Sequence, residues 1–241
     1  MSKKLEVVLT PALAGQFGFE DKAVVIIDVL RATSTIAIAL DKGFKQVLTS
    51  KEVDKALSLK DADSLVAGER NGDKVQGADV GNSPVEIQNL TSIKEKFVLT
   101  STNGTKCVEK AVLQNAKVVL CGALVNVQAL ADFLNQSQFD IVLFCAGWKD
   151  NENIEDTYMA GSLIDKLQDV SLQNDAAFIA QTVYQSNKHL ANQFLGSANH
   201  YQRLKNKGNH ADLALCIQES ISESVPCLQS FDEGVAVFTK I

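Results

Sequence analysis

The amino-acid sequence predicts an α/β fold in which a sheet with parallel strands carries helices on its faces. Short apolar runs typical of buried strands recur along the 241 residues, and helical patterns separate several of them. Alternation of strands and helices with these lengths is the usual pattern of a parallel α/β sheet. Apolar residues make up 46% of the chain and charged residues 22%, as expected for a soluble globular protein.

The predicted strands are apolar runs that end at polar or turn residues. In chain order they are LEVVLT, AVVIIDV, QVLT, SLVAGE, KFVLTST, KVVLCG, FDIVLFCAG and GVAVFTK. The clearest helical pattern is EDTYMAGSLIDKLQDV, and from residue 171 to about 220 the pattern is mainly helical. No low-complexity linker interrupts the chain, so we expect residues 1–241 to form one domain. Two lobes with the site between them are the open alternative.

Composition excludes several classes of function. The net charge is −6 and there is no basic run, which argues against nonspecific nucleic-acid binding but leaves a local basic pocket open. No apolar stretch is long enough for a transmembrane helix, and we read the N-terminus as a first strand. The five cysteines form no CxxC pair and the three histidines lack zinc-ligand spacing. Reduced thiols in a cytoplasmic protein are therefore expected.

Four junctions after predicted strands carry polar residues, and ligands of parallel sheets bind at such carboxyl ends. The first is DVLRATST, and the third is TSTNGT. A helix start offers unpaired amide N–H groups and a partial positive charge, which suit a phosphate or sulfonate. The candidate anion-binding residues are Arg31, Thr33, Ser34, Thr35, Thr100, Ser101, Thr102, Asn103, Gly104 and Thr105. Plain helix capping is the alternative for the hydroxyl residues.

The second and fourth junctions are GERNGDKVQGADVGNSP and CAGWKDNENIEDTY. The former places Glu69 and Arg70 after a strand, followed by a long loop of the kind that is often functional. Asn82 and Ser83 lie in a turn that begins a helix, with Ser83 as its cap before a proline. The latter supplies Glu155 and Asp156.

Asp28 is the last polar residue of an apolar strand, where a carboxylate is costly unless it is paired or bound to a metal. One reading is a salt bridge to Arg31 or Arg70. The other is a magnesium site built from Asp28, Glu155 and Asp156, with hard oxygen ligands that bridge to a phosphate. Acids near a helix N-terminus are also common as partners of the helix dipole.

Familiar nucleotide-binding and hydrolase motifs are missing. There is no G-x-x-x-x-G-K-[ST] loop, no G-x-G-x-x-G after a strand and no G-x-S-x-G elbow. Val29 and Leu30 follow Asp28, so the D-x-D pair of aspartyl-phosphate phosphatases is absent. Cys145 lacks the arginine that a cysteine phosphatase needs six residues later, because Asn151 occupies that position.

The segments DVLRATST, GERNG, GNSP, TSTNGT, CAG and EDTYMAG, in this order, resemble the ComB family of 2-phosphosulfolactate phosphatases. The region SANHYQRLKNKGNHADLALCIQESISESVP is also similar to that family's C-terminal part. The resemblance implies a three-layer α/β/α fold with a mixed, largely parallel sheet. It also implies magnesium-dependent hydrolysis of 2-phospho-3-sulfolactate, a reaction of coenzyme M biosynthesis, and a homodimer.

On this resemblance the expected partner is a small anionic phosphorylated substrate, with no nucleic acid or membrane. Asp28, Glu69 and Arg31 are the expected catalytic residues, with Glu69 as a candidate base. The nucleophile is either water or Asp28. Arg31 is expected to act mainly in substrate binding, so Arg31→Ala should raise the KM. Another small phosphorylated acid as substrate, and a non-catalytic binder of a phosphorylated metabolite, are the alternatives.

Overall fold

The computed structural model describes residues 2–70 and 73–241, and within them the chain forms eleven strands and ten α-helices. The strands are β1 (Lys3–Val8), β2 (Ala23–Ile27), β3 (Gln46–Ser50), β4 (Ser64–Arg70), β5 (Asp73–Lys74), β6 (Lys96–Thr100), β7 (Val118–Gly122), β8 (Ile141–Cys145), β9 (Val170–Leu172), β10 (Pro226–Asp232) and β11 (Val235–Lys240). The helices are α1 (Ala32–Lys42), α2 (Val53–Ser58), α3 (Pro84–Gln88), α4 (Asn103–Leu113), α5 (Val127–Gln136), α6 (Ile154–Lys166), α7 (Asp175–Asn187), α8 (Ala191–Gly196), α9 (Asn199–Asn206) and α10 (His210–Cys216). Short 3-10 turns lie at Pro11–Gln16, Leu124–Asn126 and Lys188–Leu190.

All eleven described strands join one sheet in the order β5-β4-β6-β3-β11-β10-β7-β2-β8-β1-β9. Two groups are parallel within themselves: β4, β6 and β3 on one side, and β7, β2, β8, β1 and β9 on the other. The antiparallel hairpin of β10 and β11 joins the two groups. The predicted mixed, largely parallel sheet is therefore confirmed.

Helices cover both faces of the sheet, which the alternation along β2 illustrates. Val24 and Ile26 belong to a core cluster that includes residues of α1 and α4. Val25 and Ile27 point to the other face, into a cluster with residues of α5 and α6. Because successive side chains of a strand point to opposite faces, burial of all five β2 residues requires a helical layer on each side. The three-layer α/β prediction is confirmed.

The two parallel groups run in opposite directions, because three successive antiparallel pairings separate β3 from β7. Helix α1 packs against both β3 and β7, whereas α4 follows β6 but packs against β2 and β7. As a result the carboxyl ends of β2 and β6 meet: the Gly104 amide at the start of α4 donates to Asp28 Oδ2 over 3.1 Å.

The segment from residue 171 to 220 contains helices α7 to α10, as predicted. The short edge strand β9, at the start of this segment, was not predicted from the sequence. The predicted loop after Glu69 is partly a hairpin, because β5 pairs antiparallel with β4. Its residues Asn71 and Gly72, which belong to the GERNG motif, lie outside the described residues. The assignment of residues 1–241 to a single domain stays a prediction.

None of the helices in the described ranges combines the length and the apolar character that crossing a membrane requires.

The five cysteines are unpaired, and only Cys227 is partly exposed. Burial raises the pKa of each thiol, that of Cys216 to about 12. Since the thiolate is the reactive form, we expect a disulfide reagent such as DTNB to modify Cys227 alone in the native protein at pH 8, and all five cysteines after denaturation. The Cys227→Ser variant should lose the native signal. Rapid modification of several thiols in the native wild-type protein would contradict the described packing.

Candidate active site

A cavity of about 120 Å³ opens where the carboxyl ends of β2, β4 and β6 meet helix α9. The predicted site residues that line it are Asp28, Arg31, Glu69, Arg70, Asn82, Thr100, Ser101, Thr102 and Asn103. The lining residues that the sequence analysis did not single out are Leu30, Ala32, Trp148, His200, Arg203 and Leu204. Three of the four predicted junctions thus contribute predicted residues to one cavity, and the fourth contributes Trp148.

Asp28 lies at the N-termini of two helices at once. The Ala32 amide of α1 donates to its Oδ1 over 3.4 Å, and the Gly104 amide of α4 donates to its Oδ2 over 3.1 Å. Within the described ranges no lysine or arginine forms a salt bridge with this carboxylate, so the salt-bridge reading is not supported. Burial raises the pKa of Asp28, while nearby His200 and the two amide donors lower it. Each oxygen keeps acceptor capacity for a ligand in the cavity.

The hydroxyl residues of DVLRATST are buried and do not line the cavity. Their side chains bond to protein groups: Thr33 Oγ1 accepts from the Asp28 amide (3.1 Å), Ser34 Oγ donates to the Val29 carbonyl (2.8 Å), and Thr35 Oγ1 donates to Asn82 Oδ1 (2.7 Å). Their geometry favours the capping alternative, because they shape the turn that presents Asp28. Direct substrate contact by these three residues stays a prediction.

Arg31 is buried in a network of partners from three parts of the chain. Its guanidinium forms ion pairs with Glu69 and Asp212 and donates to Asn209 Oδ1 over 2.8 Å. Asp212 in turn accepts from Ser83 Oγ over 2.6 Å. Two acids thus neutralise the positive charge of Arg31. Its predicted role in binding an oxyanion of the substrate would require at least one of these ion pairs to break.

Ser83 is the cap of α3, as predicted, and its Oγ accepts from the Glu86 amide over 3.1 Å with Pro84 in the first turn. It does not line the cavity. Thr105 is also buried away from it, beside a smaller internal pocket. Its Oγ1 has no hydrogen-bond partner in the described part of the chain. Substrate binding by Ser83, Thr105 and Gly104 stays a prediction, with Gly104 acting through its backbone on Asp28.

The N-terminus of α4 and Arg70 form one wall of the cavity. Thr100, Ser101, Thr102 and Asn103 line it, and within residues 2–70 and 73–241 the Thr102 hydroxyl makes no capping bond. Arg70 donates to Thr100 Oγ1 over 2.8 Å and to the Lys51 carbonyl over 2.6 Å. Its described partners are neutral, so its charge is available to an anion. Amide donors, hydroxyls and a cation together suit a phosphate group.

Glu155 and Asp156 have different surroundings. Asp156 accepts from the Val29 amide over 2.9 Å and from the Gly147 amide over 3.0 Å, and so joins the ends of β2 and β8. Burial and the neighbouring acids raise the pKa of Asp156 well above its usual value. Glu155 Oε1 lies 2.7 Å from His200 Nδ1, whereas its buried Oε2 has no partner among residues 2–70 and 73–241.

The carboxylate oxygens of Asp28, Glu155 and Asp156 determine how a magnesium ion could bind. Across the described residues there is no group of three or more His, Cys, Asp or Glu side chains arranged to hold a metal. Magnesium, however, usually binds through one or two carboxylates and completes its shell with water and substrate phosphate oxygens. Asp28 lines the cavity and fits that mode. Glu155 is buried outside the cavity lining, so its Oε2, unpartnered within the described residues, makes it only a candidate second ligand. Asp156 as a ligand stays a prediction.

Trp148, His200 and Arg203 form another part of the cavity lining. The Trp148 and His200 rings stack with centroids 6.1 Å apart, and the Arg203 guanidinium carbon lies 4.9 Å from the Trp148 ring centroid. Arg203 donates to His200 Nε2 over 2.8 Å. One turn of α9 brings His200 and Arg203 together, because residues three apart share a helix face. This i, i+3 spacing was visible in the sequence, but nothing there placed α9 over the ends of β2 and β6.

Comparison with known proteins gives consistent results. The profile described as 2-phosphosulpholactate phosphatase matches residues 8–230 of the chain. A protein of Carboxydothermus hydrogenoformans named probable 2-phosphosulfolactate phosphatase is 38% identical over 212 residues, which are 86% of each chain. Proteins with the same name from Thermotoga maritima (34% identity, 87% of this chain and 90% of the relative) and Clostridium novyi (33% identity, 92% and 96%) are also similar.

Proposed function

This chain belongs to the 2-phosphosulfolactate phosphatase family, and on that premise we propose that it hydrolyses 2-phospho-3-sulfolactate to 3-sulfolactate and inorganic phosphate with Mg²⁺ as cofactor. The reaction class is phosphoric monoester hydrolysis. The family profile covers most of the chain, and each of the three relatives covers at least 86% of it. The predicted and observed site residues all lie inside the matched range.

The observation that carries the proposal is the surroundings of Asp28. A buried carboxylate lies at two helix N-termini in a small cavity, and Arg70 and Arg203 line that cavity without a described carboxylate partner. Two cations that line one small cavity favour the entry of an anion, which can form charge-assisted hydrogen bonds with both. The proposed substrate carries a phosphate, a carboxylate and a sulfonate, so it supplies the missing negative charges.

We assign the phosphate to the wall formed by Arg70 and the N-terminus of α4. There the amides, the Thr102 hydroxyl and the guanidinium orient the phosphate beside Asp28 and stabilise charge that builds on its oxygens. Asp28 would hold the magnesium ion, with Glu155 as the second candidate ligand. Magnesium, when bound, neutralises phosphate charge and polarises the ester for attack. The nucleophile is water or Asp28 itself.

Glu69 lines the cavity, but its carboxylate is bound to Arg31. A role as general base therefore requires that ion pair to open when substrate enters. The ion pair makes Glu69 a weaker candidate for the general base than the sequence alone suggested.

The proposed magnesium dependence predicts that a chelator abolishes activity. We expect protein treated with EDTA to release phosphate from 2-phospho-3-sulfolactate at a rate at least about a hundredfold lower, since several kcal/mol of charge stabilisation is lost. Added Mg²⁺ should restore the rate, and the circular dichroism spectrum should not change. Full activity in excess EDTA would remove magnesium from the mechanism.

A panel of phosphate esters tests the choice of substrate. We expect 2-phospho-3-sulfolactate to give the highest kcat/KM, above 2-phospholactate, phosphoglycolate and a sugar phosphate. Preference for another phosphorylated acid would keep the phosphatase and change its substrate. Binding without phosphate release from any ester, with magnesium present, would make the protein a binder of phosphorylated metabolites. A role in coenzyme M biosynthesis, a cytoplasmic location and a homodimer stay predictions.

A further inference from the structure

We propose that Arg203, supported by Trp148 and His200, forms a separate subsite for the sulfonate of the substrate and so selects phosphate esters that carry a second strong acid. The inference rests on the proposed function, because it names what the remaining wall of the same cavity recognises. It concerns residues outside the strand-end junctions on which the site was predicted.

Arg203 differs from Arg31 in its electrostatic surroundings. Arg31 pairs with two carboxylates, whereas the described hydrogen-bond partner of Arg203 is the ring nitrogen Nε2 of His200. Desolvation and the nearby charge of Arg31 lower the pKa of Arg203, and the nearby Glu155 carboxylate opposes them in part. Its Nε atom is buried and has no partner in the described part of the chain. A guanidinium with these surroundings is stabilised when an anion enters the cavity, and it gains two or more charge-assisted hydrogen bonds.

The contacts of Arg203 also hold it in place before a ligand arrives. One guanidinium nitrogen lies 2.8 Å from His200 Nε2, and the same imidazole ring lies 2.7 Å from Glu155 Oε1 through its Nδ1. The plane of the guanidinium also packs on the Trp148 ring. A preorganised guanidinium loses less conformational entropy on binding than a free one does.

Arg203 and Arg70 bring cations from different parts of the fold to one small cavity. Arg70 and the start of α4 lie on the strand side, and Arg203 lies on α9, yet all of them line the same 120 Å³. A compact molecule can contact both sets of residues in that volume. A sulfonate is ionised at every physiological pH and offers three oxygen acceptors to the Arg203 guanidinium. The flat Trp148 ring can contact the methylene group beside it.

The matched substrates 2-phospho-3-sulfolactate and 2-phospholactate test this inference, because the second keeps the phosphate and carboxylate but replaces the sulfonate-bearing carbon with a methyl group. We expect Arg203→Gln to lower kcat/KM for 2-phospho-3-sulfolactate by about 10- to 150-fold, as for loss of a hydrogen bond to a charged group. The value for 2-phospholactate should hardly change. Arg203→Lys should recover part of the loss. Lys205→Gln, an exposed change on the same helix, should behave like wild type.

A binding measurement separates failure of the subsite from failure of the proposed function. Trp148 is the single tryptophan, so its fluorescence reports titrations with 3-sulfolactate and with inorganic phosphate. We expect Arg203→Gln to weaken 3-sulfolactate binding by a similar factor and to leave phosphate binding unchanged. If the wild-type protein binds 3-sulfolactate through Arg203 but releases no phosphate from 2-phospho-3-sulfolactate, the proposed function fails and the subsite stands. Equal losses for both substrates, or sulfolactate binding that does not depend on Arg203, would overturn the subsite.

Discussion

Asp28→Asn is expected to lower kcat for phosphate release by about a thousandfold. Asparagine keeps the size of the side chain and an oxygen that can accept from the Gly104 amide, but it loses the negative charge that we assign to magnesium. The carboxylate is placed by two helix N-termini, so no neighbouring acid can take the same position. The measurement is the initial rate of phosphate release at saturating 2-phospho-3-sulfolactate and Mg²⁺.

The fold of the Asp28→Asn protein should remain intact. Burial raises the pKa of Asp28, which means that the ionised carboxylate disfavours the folded state at neutral pH relative to a neutral side chain. In EDTA at pH 7.5 the variant should therefore melt no lower than wild type. Asp54→Asn, an exposed acid on α2, is the matched control and should keep full activity. Wild-type turnover by Asp28→Asn would remove Asp28 from the chemistry.

Arg31→Ala is expected to lower the free energy of unfolding by about 3–5 kcal/mol, because it leaves the buried Asp212 and the partly buried Glu69 without their cation. Glu69 and Asp212 come from β4 and α10, so the same change also loosens the contact between the strand side and the C-terminal helices. The midpoint of urea unfolding, followed by circular dichroism, measures the effect. This expectation replaces the simpler one from the sequence, in which loss of Arg31 mainly raised the KM.

Two further variants make the Arg31 prediction specific. Arg31→Lys should recover only part of the stability, since one ammonium group cannot reach Glu69, Asp212 and Asn209 with the geometry of a guanidinium. Lys45→Ala breaks the exposed pair with Glu95 and should unfold at nearly the wild-type urea concentration. An Arg31→Ala protein with wild-type stability and a raised KM would show that the guanidinium serves the substrate and not the fold.

The location of the site could be predicted because the sequence shows where strands end and helices begin. Asp28, Thr100 and Asn103 follow apolar strands and precede helical patterns, and the structure brings them to one cavity. The fold class followed from the same alternation. Local sequence did not reveal that β3 and β7 run in opposite directions, because the hairpin that separates them comes from the C-terminus.

The direction of individual side chains was harder to predict. Thr33, Ser34 and Thr35 have the right chemistry for an anion site, but they point to the protein, and the sequence does not separate capping from ligand binding. Helix α9 was the larger omission. Its residues His200 and Arg203 are more than 160 positions from Asp28, and only tertiary packing places them on the same cavity.

The most direct test of the central claim is a crystal structure of the Asp28→Asn protein with intact 2-phospho-3-sulfolactate. We predict that the phosphate lies between residue 28, Arg70 and the first amides of α4, with the sulfonate on Arg203. A substrate bound outside this cavity, or one whose phosphate lies away from residue 28, would contradict the claim that the converging ends of β2 and β6 form the active site.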